Sequence, residues 1–538
     1  MRVANWLMAA GAIVVSMLGA GCASLPPHPA QPPTLALASA DTADTTDTAD
    51  TADTALGRVL APRLAQHPGE SVFYPLTAGA DAFAMRLALA RTAQRSLDLQ
   101  YYIFDADDTG LTLLAEVMAA ADRGVRVRLL LDDLHTDGQD QALAALDAHP
   151  NVEVRLFNPF ANRGMRMFEF ATDFRRVDRR MHNKSMTADN QLTVVGGRNI
   201  GDAYFAAKSD VDFSDLDLLA AGPVVPQVSA VFDDYWNAEA TYPLATLAKR
   251  QSDAETVAFQ QRVRQYLDDR KVKLRATPYG KTVLESGVIR AIQQEALPAY
   301  WGRATVIADR AAKVTLPPED NSTHAIPALL KVLGGAQHDL TLVSPYFVPG
   351  KAGMDWLVGL QQRGVQVHIL TNSFGATDVS AVHAGYAPRR EALVQAGVLL
   401  YELKPSAYAE MAKENKGRGM GGSSRASLHA KTYMVDRRLL FIGSLNLDPR
   451  SARLNTEMGI VVDSAPLCDM LGKRLDDALL DAAYQVVLLP DPQTGHLQLA
   501  WITREDGVLR TYTSEPDMSG WNRIGQGFMR LLPMESEL

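Results

Sequence analysis

The segment Arg123-Gly-Val-Arg-Val-Arg-Leu-Leu-Leu131 recurs later in the chain as Arg363-Gly-Val-Gln-Val-His-Ile-Leu-Thr371. A strand-like apolar run precedes each copy, Ser96-Leu-Asp-Leu-Gln-Tyr-Tyr-Ile-Phe104 in the first and His338-Asp-Leu-Thr-Leu-Val-Ser-Pro-Tyr-Phe347 in the second. Segments with apolar residues at helical spacing lie between these runs, at Leu111–Arg123 and Met354–Arg363. Alternating strands and helices predict an α/β fold with a largely parallel sheet, present twice as duplicated halves.

A second repeated pattern, His-x-Lys-(x)4-Asp, occurs once in each copy. The first reads His182-Asn-Lys184-Ser-Met-Thr-Ala-Asp189, and the second reads His429-Ala-Lys431-Thr-Tyr-Met-Val-Asp436. A turn with glycine and asparagine follows each motif, as Gly196-Gly-Arg-Asn199 and Gly443-Ser-Leu-Asn446. A lone His-x-Lys pair is most often a chance occurrence on a protein surface. Two full motifs at matching places of a duplicated unit are not explained by chance. The sequence therefore predicts one active site to which both halves contribute.

The residue types in these motifs suit a phosphodiester. Histidine and lysine two positions apart on a strand point to the same face, so the site receives an imidazole and an ammonium from each half. One imidazole can attack phosphorus while the other protonates the leaving oxygen, and amide and ammonium donors stabilise the phosphoryl charge. The predicted catalytic residues are His182, Lys184, Asp189, His429, Lys431 and Asp436. The predicted phosphate-binding residues are Asn199, Ser444 and Asn446. No metal or other cofactor is predicted, since the lysines supply the positive charge.

Each histidine needs a carboxylate that orients its ring and fixes its tautomer. Asp215 follows the first motif and Glu457 follows the second, and both are predicted to take this role. Asp217 competes with Asp215, and the sequence does not choose between them. Asp189 and Asp436 have an alternative role, which is to hold the turn behind each motif together.

The paired motifs resemble those of the phospholipase D superfamily. Neighbouring segments, such as Val195-Gly-Gly-Arg-Asn-Ile-Gly-Asp202 and Gly443-Ser-Leu-Asn-Leu-Asp-Pro-Arg-Ser451, are most similar to the bacterial cardiolipin synthase C family, over about residues 70–535. The resemblance implies two α/β/α halves packed around one shared active site, a phosphohistidine intermediate and transfer of a phosphatidyl group. It also implies that His182 is the nucleophile and His429 the acid, with the reverse assignment left open.

The superfamily also acts on nucleic acids and on protein–DNA adducts, so the substrate class needs separate arguments. The formal net charge of −9 disfavours a nucleic-acid partner. Both motif aspartates are present, whereas adduct-cleaving members replace them. We therefore predict synthesis of cardiolipin from membrane phospholipids, with hydrolysis to phosphatidic acid as the alternative and an extracytoplasmic nuclease as a less favoured one. No nucleic-acid partner is expected, and any accessory protein is left open.

Two stretches mix apolar residues with arginines and favour a lipid surface. Phenylalanines alternate with arginines between Phe157 and Arg180, and Trp521, Ile524 and Phe528 fall near one face of a predicted interfacial helix. Packing of these side chains on the protein's own core is the alternative for both stretches.

The N-terminus has the order of parts of a secretory signal: Arg2, an apolar stretch, then small residues before Cys22. It resembles the bacterial lipobox, although Gly19 stands where a large aliphatic residue is usual. The predicted organisation is a signal peptide at 1–21, a lipidated Cys22 with a disordered linker over 22–69, a first half at 70–245, a helical connection at 246–300, a second half at 301–490 and a tail with a membrane-interface helix at 491–538. The predicted location is the extracytoplasmic face of a bacterial membrane, and the outer membrane is favoured because no aspartate follows Cys22.

Overall fold

The computed structural model describes residues 24–29, 32–37, 51–207, 211–247, 253–294, 296–405 and 425–518. The predicted signal peptide, Cys22 and the predicted interfacial helix around Trp521 lie outside these residues. Among the described residues, no helix combines the length and the apolar character that crossing a bilayer requires.

The first half contains a sheet whose strand order is β9-β4-β3-β2-β5-β6-β8-β1. The strands are β1 Ser71–Leu76, β2 Ser96–Tyr101, β3 Arg126–Asp132, β4 Val152–Phe157, β5 Ser185–Ala188, β6 Leu192–Gly196, β7 Val211–Ser214, β8 Asp217–Ala221 and β9 Thr241–Pro243. The helices are Gly79–Thr92, Asp108–Asp122, Asp140–Asp147, Arg166–Thr172, Phe174–Val177, Val224–Trp236 and Leu244–Leu247. The connecting segment forms the helices Asp253–Ala276, Pro278–Leu284 and Gly287–Gln293.

The second half repeats this order, as β18-β13-β12-β11-β15-β16-β17-β10, and extends it with the antiparallel strands β19 and β20. The strands are β10 Tyr300–Ala308, β11 Asp339–Val343, β12 Gln366–Asn372, β13 Leu399–Leu403, β14 Arg425–Leu428, β15 Lys431–Val435, β16 Leu439–Gly443, β17 Met458–Asp463, β18 Ala483–Pro490, β19 Leu497–Glu505 and β20 Val508–Tyr512. The helices are Ile326–Leu333, Gly350–Gln362, Ser380–Tyr386, Arg390–Gln395, Pro449–Arg453 and Ala465–Ala482.

The repeated Arg-Gly-Val sequence marks the same junction in both halves. Arg123 and Arg363 cap the C-termini of the helices before β3 and β12. The glycines that follow, Gly124 and Gly364, have φ values of 92° and 86°, a left-handed conformation that favours glycine and ends a helix. The chain then enters a buried strand, which explains why this short segment carries the repeat.

The sheets are mixed, so the prediction of a largely parallel sheet is wrong for part of each half. Within each main sheet, the parallel pairs described are those of β2, β3 and β4 and of their counterparts β11, β12 and β13. Behind each His-x-Lys motif the chain turns back as an antiparallel hairpin, β5–β6 and β15–β16. Both central residues of each turn have positive φ, near 50°, which is the pattern of a type I′ hairpin turn. A motif aspartate takes the first of these positions in each half.

Strand pairing and apolar packing both join the two halves. Strand β1 pairs antiparallel with β10, and β7 pairs parallel with β14 directly before His429. A buried apolar cluster contains residues of both halves, among them Phe73, Val195, Leu218, Ile442 and Ile460. The structure therefore confirms the predicted α/β fold with two duplicated halves packed together.

The predicted disordered linker over 22–69 is wrong for two of its described parts. Residues 32–37 lie along the first half, where Thr34 accepts a hydrogen bond from the indole of Trp236 at 2.8 Å and its carbonyl accepts one from Arg128 at 3.0 Å. Residues Ala55–Leu64 form a helix whose N-cap is Thr54. The segment has few core residues, but it supplies acceptors to buried donors of the body.

The predicted tail from residue 491 begins as part of the second-half sheet, not as a separate segment. Strands β19 and β20 form a hairpin that pairs with β18. Trp501 is buried there and donates its indole N–H to Glu402 at 3.0 Å. Residues 491–518 therefore belong to the second half, and the alternative that Trp521, Ile524 and Phe528 pack on the protein's own core concerns residues outside those described.

Candidate active site

His182 lies at the start of the hairpin β5–β6 and is paired with a carboxylate of the other half. Its Nδ1 is 2.9 Å from Oε2 of Glu457 and 3.2 Å from the carbonyl oxygen of Ser444. Both partners are acceptors, so Nδ1 carries the proton and Nε2 is left for the substrate. His182 and Glu457 are both buried.

His429 shows the reciprocal arrangement. Its Nδ1 is 2.6 Å from Oδ2 of Asp215, which belongs to the first half. Asp217, the competing candidate, forms an ion pair with Arg86 at 2.9 Å instead of contacting His429. The structure thus places Asp215, and not Asp217, against His429.

Backbone hydrogen bonds fix this crossed arrangement. The N–H of His182 donates to the carbonyl of Thr456 at 2.8 Å, one residue before Glu457. The N–H of His429 donates to the carbonyl of Ser214 at 2.8 Å, one residue before Asp215. Each half therefore supplies a histidine of its own and the carboxylate that orients the other histidine, so neither half has a complete pair alone.

The motif lysines are buried beside these histidines. The Nζ atom of Lys184 donates to the carbonyl of His182, and that of Lys431 donates to the carbonyl of His429. Burial lowers the pKa of Lys431 to about 8, although Asp215 and Glu457 counteract it, and burial lowers the pKa of Lys184 well below its usual range. Two lysine side chains in one buried site suit an anionic substrate, because a bound anion favours their protonated forms.

The two imidazoles differ in their electrostatic surroundings. Burial, then the charges of Lys184, Lys431 and His429, lower the pKa of His182 far below its usual value. The pKa of His429 is also lowered by burial and by Lys431, but Asp215 raises it again. Burial alone would raise the pKa of Asp215, yet His429, Lys431 and Arg198 outweigh it and bring that pKa down to about 2. Asp215 is therefore ionised and favours the protonated form of His429.

Glu457 is supported by hydroxyl groups. Ser444 Oγ donates to its Oε2 at 2.5 Å and Ser451 Oγ donates to its Oε1 at 2.7 Å. Its backbone N–H donates to Asp309 at 2.7 Å, and Asp309 is paired with the buried Lys313 at 3.0 Å. Burial raises the pKa of Glu457, and these partners counteract the rise. These hydrogen bonds, two to the side chain and one from the backbone, fix the position of the Glu457 carboxylate beside His182.

Asp215 is held instead by close packing. A Cβ atom added to Gly197 would lie 2.3 Å from Oδ1 of Asp215, so only glycine fits there. The backbone N–H of Leu216 donates to Asp215 Oδ1 at 2.7 Å. Gly197 takes the same place in its motif as Ser444 does in the second half.

Asp189 and Asp436, predicted as catalytic, lie at the far end of β5 and β15 from the histidines. The carboxylate of Asp189 accepts the backbone N–H groups of Gln94, Arg95 and Ser96, at 2.7 to 3.1 Å. Asp436 accepts those of Gln337, His338 and Asp339, at 2.8 to 3.2 Å. Both carboxylates therefore bind the hairpin turn to the start of a central strand. This is the alternative role of holding the turn, and it replaces the prediction that these two residues are catalytic.

The predicted phosphate-binding residues are buried near the histidines but differ in what they do. Asn199 Oδ1 accepts the N–H of Ile103 at 3.2 Å, and the Asn199 side chain is also hydrogen-bonded to Tyr204. The amide of Asn446 contacts Ser451 Oγ at 3.4 Å. Ser444 departs from the prediction, because its hydroxyl donates to Glu457 and accepts the N–H of Met458 at 3.1 Å.

Two tyrosines complete the walls of the site and were not predicted. The ring of Tyr102 meets His182 edge-on with centroids 5.1 Å apart, and Lys184 Nζ lies 5.3 Å from the same ring. Tyr204 meets His429 at 5.4 Å. Tyr102 follows directly after β2, and the carboxyl ends of parallel strands are the usual place for a site in an α/β sheet, so its position was available as a signal.

In the part of the chain that the structure describes, no group of three or more His, Cys, Asp and Glu side chains is arranged to hold a metal ion. Cys468 is a buried thiol in the helix Ala465–Ala482, and burial raises its pKa to about 12. It lies outside the group of residues described above.

Comparison with protein families matches this chain twice to a model described as cardiolipin synthase, PLD-like domain, over residues 87–236 and 329–478. Each matched segment contains one His-x-Lys motif. The chain is 41% identical to cardiolipin synthase C of Escherichia coli strain K12 over 496 residues, which covers 89% of this chain and 99% of that protein. It is 33% identical over 494 residues to an uncharacterized protein of Helicobacter pylori strain J99, covering 90% and 92% of the two chains.

Among solved structures, phosphatidylserine synthase of Haemophilus influenzae Rd KW20 matches with a TM-score of 0.51. The match covers 77% of this chain and 87% of that chain at 14% sequence identity, so it concerns the fold alone.

Proposed function

Because this chain belongs to the cardiolipin synthase family of the phospholipase D superfamily, we propose that it makes cardiolipin by moving a phosphatidyl group from one phospholipid to the hydroxyl of another. The chain is a phosphatidyltransferase of the phospholipase D family. The observation that carries the proposal is the reciprocal pairing of His182 with Glu457 and of His429 with Asp215 in one buried site with two lysines.

The proposed reaction has two displacements at phosphorus. In the first, Nε2 of His182 attacks the phosphodiester and the bond to the head-group alcohol breaks, while His429 gives its proton to the leaving oxygen. In the second, the hydroxyl of another phospholipid attacks the phosphohistidine, the bond between phosphorus and Nε2 of His182 breaks, and His429 takes the proton of that hydroxyl. The lysines and the amide of Asn446 or Asn199 stabilise the charge on the phosphoryl oxygens.

The electrostatics of the site support this division of labour. A nucleophile must be neutral, and the pKa of His182 is held far below neutrality by burial and by neighbouring positive charges. A general acid must carry a proton, and the ionised Asp215, with a pKa of about 2, favours the imidazolium form of His429. A bound phosphodiester adds negative charge and raises the pKa of both histidines, with the already paired His429 favoured for protonation.

Lipid analysis of the purified full chain acting on phosphatidylglycerol vesicles, with and without phosphatidylethanolamine, tests the proposal. We expect cardiolipin to accumulate, and we expect it to vanish with His182→Ala or His429→Ala, with losses of about ten-thousandfold or more. The matched control is His496→Ala, which changes an exposed histidine in the turn before β19 and should leave the rate unchanged. Phosphatidic acid without cardiolipin would contradict synthesis and indicate hydrolysis instead.

We also propose that Cys22 is lipidated and tethers the enzyme to the extracytoplasmic face of a bacterial membrane. The support is the sequence around Cys22, where small residues follow an apolar stretch. Incorporation of a radiolabelled fatty acid in cells should occur in the parent chain and be lost in Cys22→Ser. Equal labelling of both chains would contradict the assignment.

A further inference from the structure

The short helix Arg166–Thr172 has its polarity inverted relative to an ordinary surface helix. Its charged residues are buried, with Arg166 only 8% exposed and Glu169 only 6%. Two of its apolar residues face outward, with Met167 79% exposed and Phe168 41%, while Phe170 packs against the buried Phe160. Surface helices normally do the reverse.

Hydrogen bonds hold the helix in this orientation. The guanidinium of Arg166 donates to the carbonyl of Asp133 at 2.6 Å and to the hydroxyl of Thr136 at 3.2 Å. Glu169 accepts the backbone N–H groups of Ala161 and Asn162, at 3.2 and 3.0 Å. Turning the helix to bury the apolar side chains would remove the hydrogen-bond partners of Arg166 and Glu169. These bonds therefore fix the outward orientation of Met167 and Phe168.

The apolar surface continues on both sides of the helix. Met165, directly before it, is 55% exposed, and Phe174, at the start of the next helix, is 48% exposed. Together with Met167 and Phe168 they form what we call the apolar face. Four exposed large apolar side chains within ten consecutive residues mark a contact site more often than scattered single ones do.

The apolar face lies on the segment that leads into the active site. The segment leaves the sheet at the end of β4, where the carboxyl ends of β2, β3 and β4 meet, and it ends at His182. Residues 163–180 contain six arginines and three acids within a chain of net charge −9. Four of these arginines are ion-paired: Arg163, Arg166, Arg176 and Arg180. The Arg175 side chain is exposed next to Phe174.

We propose that the apolar face inserts into the interfacial region of a phospholipid bilayer and carries the active-site edge of the first half to the membrane surface. Methionine and phenylalanine side chains would enter the acyl boundary, while the exposed Arg175 contacts anionic head groups. The inference rests on the proposed function in one respect, namely that the substrate is a bilayer phospholipid. It adds which surface meets the bilayer, and this contact is separate from any tether at Cys22.

A probe at the apolar face tests insertion without interference from a tether. The full chain carrying Cys22→Ser and Phe168→Cys is labelled with an environment-sensitive nitrobenzoxadiazole group, and the remaining Cys468 is buried. On phosphatidylglycerol vesicles we expect a blue shift with increased emission, and quenching when the vesicles contain brominated acyl chains. The matched control is Leu509→Cys, at a side chain 61% exposed in the hairpin β19–β20, which should show neither effect. Equal responses at the two positions, or none at residue 168, would overturn the proposal.

Turnover supplies a second test. The double variant Met167→Ser/Phe168→Ser should lose about tenfold or more in turnover of phosphatidylglycerol in vesicles. It should match the parent chain on a short-chain phosphatidylglycerol that is dispersed as monomers. Val508→Ser/Leu509→Ser, the control pair, should change neither rate. Equal loss of the double variant on both substrates would overturn the docking role. If the parent chain transferred no phosphatidyl group from either substrate while the probe still shifted, the proposed function would fail and the docking surface would stand.

Discussion

The two histidine–carboxylate pairs occupy equivalent places in the duplicated halves, yet they are built differently. His182 is oriented by a glutamate that accepts hydrogen bonds from Ser444 and Ser451. His429 is oriented by an aspartate that is packed against Gly197, where no side chain fits. Duplication thus preserved the backbone crossing between the halves while the carboxylate and its support diverged. The difference gives one imidazole a neutral character suited to attack and gives the other an ionised partner suited to proton transfer.

The largest contrast is expected from removing the charge of each carboxylate. Asp215→Asn should lower activity about a thousandfold with natural phospholipids, because His429 loses the partner that favours its protonated form. With a p-nitrophenyl phosphodiester, whose leaving group needs no proton, the same variant should lose much less. Glu457→Gln, which perturbs His182, the proposed nucleophile, should lose a similar factor with both substrates. Identical substrate dependence in the two variants would contradict different roles for the two histidines.

Exchanging the residues behind the carboxylates tests the packing difference. Gly197→Ser should lower activity about a hundredfold, because the new Cβ would displace Asp215 and move His429 from its position. Ser444→Gly removes a hydrogen bond to Glu457 but leaves space, so a loss of about tenfold is expected. Steady-state rates on short-chain phosphatidylglycerol give both numbers. Equal losses would mean that the two supports are interchangeable.

The pH profile distinguishes the two lysines. The pKa of Lys431 is lowered to about 8 by burial, so its ammonium is present below that pH and is lost as the pH rises through it. We expect kcat/KM, which reports the free enzyme, to fall several-fold between pH 8 and pH 9. In Lys431→Arg this alkaline limb should move to higher pH, because a guanidinium stays protonated. In Lys184→Arg the alkaline limb should remain where it is in the parent enzyme. An alkaline limb that does not move in Lys431→Arg would contradict its assignment to Lys431.

The smallest contrast concerns stability. Asp189 is fully buried and bonds backbone groups that are partly or fully buried, whereas the partners of Asp436 are mostly exposed to water. Asp189→Asn should lower the free energy of unfolding by about 2 kcal/mol and Asp436→Asn by under about 1 kcal/mol, since water replaces the lost bonds only at Asp436. Urea titration of both variants measures the difference. A larger loss of unfolding free energy in Asp436→Asn than in Asp189→Asn would show that burial does not determine how much each aspartate stabilises the fold.

Much of the fold and the site could be predicted because the information is local and occurs twice. The Arg-Gly-Val junctions and the His-x-Lys motifs are short segments whose repetition separates them from chance. The antiparallel part of each sheet was missed because a buried apolar strand gives the same sequence pattern whether its neighbours run parallel or antiparallel. The hairpin turns behind the motifs depend on positive φ values at Asp189 and Arg437, and arginine gives little sign of such a conformation.

Other features depend on contacts between distant parts of the chain. Asp215 and His429 are 214 positions apart, so their crossed pairing appears only once the halves are packed together. Ser444 looked like a phosphate ligand within its motif, but its hydroxyl is bonded to Glu457. The inverted polarity of helix Arg166–Thr172 is equally hidden, because the burial of Arg166 depends on a carbonyl 33 positions earlier.

The most direct test of the central claim, that His182 is the nucleophile and His429 the acid, is chemical trapping of the covalent intermediate. The enzyme is mixed with a ³²P-labelled p-nitrophenyl phosphodiester, quenched in alkali and mapped by peptide. With His429→Ala, label should accumulate on His182, because the first displacement needs no acid with this leaving group. With His182→Ala no label should appear. Label on His429 in the His182→Ala enzyme, with none on His182 in the other variant, would contradict the claim and reverse the two roles.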